Sequence, residues 1–285
     1  MAERLFLFMQ MEFPWELGPA DGRYVLRGRA GEEPEHVVVL ETVGAARRRA
    51  LGARKRRPEA DPEPARVPTA RATVIDPVSL SSDQQARAWL EALDVERDTE
   101  AALDVLNRLL FAHRIAAADP HTKELSPAQA LVIRAGWGIG EQVAGGHWRH
   151  ARELPWSERR TRRRTAALRP QERLAVLLGG RETPLLCEHH ALRARLDLDR
   201  GRLAHAALEL DIAYTAALSE LEAEQRPDLA ARVEELRSLR AGLSTAVVEV
   251  IGGVVKPPME EVIRHALERL EALLRARSAS GWSDK

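Results

Sequence analysis

Residues 4–13 read Arg4-Leu5-Phe6-Leu7-Phe8-Met9-Gln10-Met11-Glu12-Phe13. Leu5, Leu7, Met9, Met11 and Phe13 fall on one side of an extended chain, and Phe6 and Phe8 on the other. A period of two with apolar residues on both sides predicts a strand buried on both faces. Turn chemistry follows at Gly18-Pro19-Ala20-Asp21-Gly22. Arg23–Arg29 alternates Tyr24 and Leu26 with Arg23, Arg27 and Arg29, and Gly31 to Pro34 turns the chain again. His36–Val43 is dense in β-branched residues. Three strands on short turns predict an antiparallel meander. Ala70–Ile75, closed by Asp76-Pro77, adds a fourth strand, so a small antiparallel β module of about four strands is expected over residues 1–80.

Within that module, residues 45–70 break the alternation. Arg47, Arg48, Arg49, Arg54, Lys55, Arg56 and Arg57 run together, and Pro58, Pro62, Pro64 and Pro68 follow. This stretch has no apolar face and proline excludes a helix interior, so the expectation is a flexible basic loop.

From Ser81 the apolar period becomes helical. Ser81 or Ser82 caps a helix to Leu93, and Asp98 or Thr99 caps the next, which ends before Pro120. Ser126-Pro127 has the form of an N-cap with proline at the first helical position. It predicts a helix carrying Leu131, Val132 and Ile133 into a glycine-rich stretch. Further helices are expected from Ser157 to Gly179 with a break at Pro170, and over 184–198, 201–224, 227–252 and 258–277. The fold class is therefore α+β: the β module, then a larger, mainly helical domain over 81–278 built of antiparallel helix hairpins, with a frayed tail at 279–285. The spacing of Gly201, Ala206, Leu210 and Ala213 resembles the second helix of a tetratricopeptide unit over about half a repeat. The aromatic and glycine of a preceding helix are absent and no second copy occurs, so this spacing implies close packing of one hairpin.

Composition bounds the function. Over 285 residues, Lys+Arg and Asp+Glu are both 43, which excludes a globally basic nucleic-acid packager but leaves local patches. A single cysteine, Cys187, excludes an intrachain disulfide framework and a Cys-only metal site. The N-terminal apolar run has no small-residue cleavage site and no stretch is long enough to span a bilayer, so a cytoplasmic protein with no membrane contact is expected.

The densest chemistry lies in Gly136-Trp137-Gly138-Ile139-Gly140-Glu141-Gln142-Val143-Ala144-Gly145-Gly146-His147-Trp148-Arg149-His150. If the segment is helical, Gly136 and Gly140 share a face on which another helix rests closely. The ligand reading takes Trp137 and Trp148 as walls, with Glu141 and His147 as polar groups. A dinucleotide fingerprint fails, because Val143 stands where the third glycine belongs. Cys187-Glu188-His189-His190 is metal-like in composition, but neighbours on a helix point about 100° apart and cannot share an ion. His205 with Glu209, and Glu261 with His265, read as surface pairs at i,i+4. No nucleophile elbow or phosphate loop occurs. No catalytic residue, metal ligand or cofactor is therefore assigned.

A second arginine run, Arg159, Arg160, Arg163 and Arg164, forms a stripe suited to anions or to a partner. The function expected is a non-catalytic interaction or scaffold protein with a helical binding surface, acting by a protein partner or self-association. One alternative is a nucleic-acid-associated protein using the arginine segments. The other is an enzyme or small-ligand binder centred on 136–150.

Overall fold

The computed structural model describes residues 4–44, 68–156, 170–253 and 257–280. Among these residues it is an α+β protein, with one antiparallel six-stranded sheet and seven α-helices. Two compact units result, Met1–Glu158 and Arg159–Lys285.

The sheet contains β1 (Leu5–Phe13), β2 (Gly22–Leu26), β3 (His36–Val43), β4 (Thr69–Ile75), β5 (Val132–Ile139) and β6 (His150–Glu153). Their spatial order is β2-β3-β4-β1-β5-β6. The first four strands lie within three residues of their expected positions, β2 ending at Leu26 instead of Arg29, but two corrections follow. Six strands form where about four were expected, and β1 does not pair with β2. It lies between β4 and β5, so strands β1 to β4 form a Greek key rather than a meander of consecutive neighbours. The cause is in the side chains of β1. A strand apolar on both faces gains most where both faces are covered and both edges are paired.

The register sorts the sheet into two faces. Leu7 stands opposite Trp137, Met9 opposite Val74 and Ala135, and Met11 opposite Ala72 and Ile133. This face packs on α1 (Asp83–Ala92) and α2 (Val95–Ala116) through Ala86, Leu90, Leu103, Leu106 and Leu110. The Ser82 hydroxyl caps α1 by accepting from the Gln85 amide. The cap of α2 is Asp94, accepting from the Arg97 amide, and not Asp98 or Thr99. Thr99 is instead fully buried in the helix. Behind α2, the amide of Asn107 both donates to the Leu125 carbonyl and accepts from the Leu125 N–H, pinning the return to the sheet.

The expected helix after Ser126-Pro127 is a correction. The cap signal is genuine, but it opens only a single 3-10 turn, Pro127–Gln129. The chain then enters β5. Ile133, Ala135 and Trp137 point to the helix-covered face, whereas Gly136 and Gly138 lie on the other. Pairing along the whole length of β1 outweighs the helical cap.

The second unit has α3 (Pro170–Leu178), α4 (Leu186–Asp199), α5 (Leu203–Ala223), α6 (Ala230–Ile251) and α7 (Pro257–Ser280). Its core joins α4 to α7 through Ala191, Ala194, Ala206, Leu210, Leu243 and Leu270. Four fully buried alanines, Ala206, Ala207, Ala213 and Ala217, let neighbours approach α5 closely. One buried and two partly buried cross-links join the helices: Tyr214 donates to the Ala266 carbonyl at 2.8 Å, Arg195 pairs with Glu271 at 2.8 Å, and Arg240 with Asp211 at 2.6 Å. The expected loop over 45–70 and tail over 279–285 fall mostly outside the described residues; α7 itself continues to Ser280.

Candidate functional site

The segment after β5 folds back over the sheet face that α1 and α2 do not cover. It passes through a short 3-10 turn, Gly140–Val143, and returns as β6. Val143 packs with Phe8, Val37 and Ile75, and Trp148 stacks on Phe8 with ring centroids 5.9 Å apart. Beside this cluster, the buried amide of Gln10 donates to Thr73 Oγ1 at 2.9 Å and to the Ala144 carbonyl at 3.1 Å. One buried polar side chain on β1 thus ties down the returning loop.

Close approach explains two of the glycines. A Cβ on Gly136 would lie 2.2 Å from the His150 carbonyl oxygen, and one on Gly138 would lie 2.6 Å from Val143. Gly140 differs: its surroundings are open, and it adopts φ +58°. The shared helix face of Gly136 and Gly140 is therefore a correction. The crowded pair is Gly136 and Gly138, two apart on one side of a strand, and Gly140 serves the turn.

The four ligand candidates separate on this framework. Trp137 is buried on the helix-covered face, where its indole N–H donates to Asp83 at 2.9 Å and its ring lies 4.8 Å from that of His150. Trp148 belongs to the cluster on the opposite face. Glu141 is exposed and paired with Arg23, and His147 is exposed. The two indoles are walls of different layers. Strand geometry does this, because Trp137 is a strand residue and Trp148 belongs to the loop that crosses over the other side. Asp83 gathers the polar groups around Trp137. The indole hydrogen bond holds its carboxyl below the usual carboxylate range, burial opposes this, and Arg149 at 2.9 Å reinforces it. A polar cleft of about 330 Å³ lies elsewhere, lined by Glu16, Asp21, Glu41 and Thr42, and none of the four candidates borders it.

In the second unit the ionisable groups hold helices together. The Glu220 carboxylate accepts from the amides of Leu186 and Cys187 at 2.8 and 3.1 Å, satisfying the start of α4. Burial pushes the Cys187 thiol far up, and the neighbouring Glu220 carboxylate adds to the effect. Glu188 pairs with Arg173 at 2.6 Å, and Arg277 spans Glu182 and Glu224. His190 Nδ1 and Arg193 both meet Glu209, at 2.6 and 2.8 Å. The side chains of Cys187, Glu188 and His190 thus have three different destinations. Among the described residues no group of three His, Cys, Asp or Glu side chains is placed to hold a metal ion. No helix among them is long and apolar enough to cross a membrane.

Arg159, Arg160, Arg163 and Arg164 lie outside the described residues, as do Arg47–Arg57. The sequence reading missed Gln10, Thr73 and Asp83, and also a row of exposed apolar residues on α4 and α5: Leu192, Leu196, Leu208 and Ile212. The signal for that row was available, since α5 has apolar positions all round its helical wheel. Compared with protein-family models, curated proteins and solved structures, the chain matches none.

Proposed function

We propose that this protein is a non-catalytic interaction or scaffold protein whose binding surface lies on the helices of its second unit. One observation carries the reading. Large apolar side chains stand exposed there, in i,i+4 pairs along α4 and α5, while the nearby cysteine, histidine and carboxylates are engaged in holding helices together. Exposed apolar residues grouped on one face mark contact sites more often than chance scatter does. Reactive groups spent on capping and ion pairing favour binding over chemistry.

Radical footprinting of the full chain tests this, performed in native cell extract and on dilute purified protein. Protection in extract at Leu192, Leu196, Leu208 and Ile212 is the expected result. Equal labelling of all exposed apolar positions under both conditions would remove the reading.

A further inference from the structure

On the sheet face opposite α1 and α2, the register lays rows of like side chains across neighbouring strands. Val37, Ile75 and Phe8 make an apolar row. Thr73 and Gln10 make a neutral polar row beside it. Residues 140–146 lie over both rows as a strap. Val143 plugs into the apolar row, and the Val143 and Ala144 carbonyls accept from Gln10 Nε2 at 3.4 and 3.1 Å.

One atom under the strap is left over. Gln10 is 0% exposed, and among the described residues its Oε1 meets no donor. Turning the amide round does not help, because Oε1 would then face two carbonyls. The strap has no N–H to give either. The amides of Ala144, Gly145 and Gly146 are spent on the carbonyls of Glu141, Gln142 and Val143, within the strap itself. A buried acceptor without a donor raises the free energy of the closed arrangement.

The strap also has the means to open. Gly140 at one end has φ +58° and open space around it, and Gly146 at the other has φ +88°. Apart from the Val143 plug and the Gln10 contact, its tie to the sheet is the exposed Arg23–Glu141 pair. From His147 onward the chain packs against Gly138 and belongs to the sheet, so Trp148 stays stacked on Phe8 as a wall.

An extended peptide supplies what the strap supplies and the missing group as well. It brings a carbonyl for Gln10 Nε2 and an aliphatic side chain for the apolar row. Its N–H groups are not spent within the segment, so one is available to Gln10 Oε1. We infer that Gln10, Thr73 and the row Val37–Ile75–Phe8 form a binding site for an extended peptide segment of a partner protein, which residues 140–146 occupy as a displaceable internal stand-in. This site lies in the first unit and is separate from the helical surface proposed above.

The probe is the blocked dipeptide acetyl-Val-Ala-methylamide, a free copy of Val143-Ala144. Added to the full chain up to about 20 mM, it should shift the Gln10 side-chain amide and the Val37 and Ile75 methyls in NMR spectra. It should also speed hydrogen exchange at Ala144 and Gly145, as the strap is released. Val143→Ala shrinks the plug, raises the open fraction and should lower the dissociation constant about tenfold. The ester analogue, with oxygen in place of each N–H, should bind at least about tenfold more weakly than the amide. If circular dichroism shows that Val143→Ala disturbs the fold, the two probes on the unmodified protein decide alone. Absence of shifts at Gln10 overturns the site. Shifts without faster exchange at Ala144 and Gly145 place the probe outside the strap and overturn it too. Equal binding of amide and ester removes the donor to Oε1, and with it the peptide.

Discussion

The methyl group that alanine would place at Gly136 falls 2.2 Å from the carbonyl oxygen of His150, a separation that real Cβ atoms do not adopt. Gly136 and Ala151 are cross-strand partners, and the contact lies where β6 leaves the returning loop. The obstacle is backbone, so no side-chain rotation relieves it. Gly136→Ala should destabilise the first unit by about 1–3 kcal/mol. Gly140→Ala meets no atom but forces an L residue into left-handed backbone, at a cost of about 1–2 kcal/mol. Urea unfolding followed by tryptophan fluorescence compares the two. A Gly136→Ala protein as stable as the parent would show that the loop does not lie against β5.

Ala118 and Gln225 are non-glycine residues with φ of +51° and +47°, just past the ends of α2 and α5. Glycine is the residue suited to that position. Ala118→Gly and Gln225→Gly should each stabilise by about 0.5–1 kcal/mol, once the entropy of a freer unfolded chain is subtracted. Melting temperatures of the two single variants check this. A drop in both would mean that the helices end differently in solution.

Glu220 links pH to stability. Burial pushes its carboxyl up, but the amides of Leu186 and Cys187, the Cys187 thiol and Arg277 together hold it below its ordinary value. A carboxyl depressed in the folded state contributes stability above its unfolded pKa and loses it as pH falls through the folded value. Glu220→Gln should therefore lower stability at pH 7, by about 1–2 kcal/mol for the damaged helix start, and flatten the acid side of the stability profile. Denaturation curves from neutral pH down into the carboxylate range settle the matter. An unchanged acid slope would detach Glu220 from the start of α4.

Cys187 should be inert while the protein is folded. Its thiol is fully buried and donates toward a carboxylate, so thiolate is suppressed on both counts. Labelling with a thiol reagent at pH 8 is expected only after urea is added, with a rate that follows unfolding. Rapid labelling of native protein would contradict the packing of α4 on α5.

Legibility in the sequence tracked how local each determinant was. β1, β3 and β4 announce themselves through alternation and β-branched residues within eight or nine positions. The order of the strands does not, because placing β1 between β4 and β5 depends on partners far along the chain. β5 was hidden twice. Ser126-Pro127 is a correct cap for a turn that happens to stop after three residues, and Gly136 and Gly138 are poor strand formers chosen for crowding by the loop above. Ile133, Ala135 and Trp137 carried the contrary signal, a period of two on one side. The helical reading set Gly136 and Gly140 on one face, and the ligand reading set Trp137 beside Trp148, whereas a strand and its return loop put the two indoles on opposite faces of the sheet. In the second unit, Pro227 and the glycines at 201 and 252 punctuate the chain plainly, and α4 to α6 lie within a few residues of expectation.

The central place of β1 has a consequence for biosynthesis. This strand leaves the ribosome before either neighbour exists. Gln10 waits for Thr73, 63 positions later, and for the Ala144 carbonyl, 134 positions later. At about 5–20 residues per second, the nascent chain carries an apolar strand with two open edges for several seconds. Until β5 emerges, Phe6, Phe8, Met9 and Met11 are exposed to every other unfolded chain nearby. The first unit should thus depend on chaperone cover, or on slow refolding at high dilution, far more than the sequentially assembled helices that follow it.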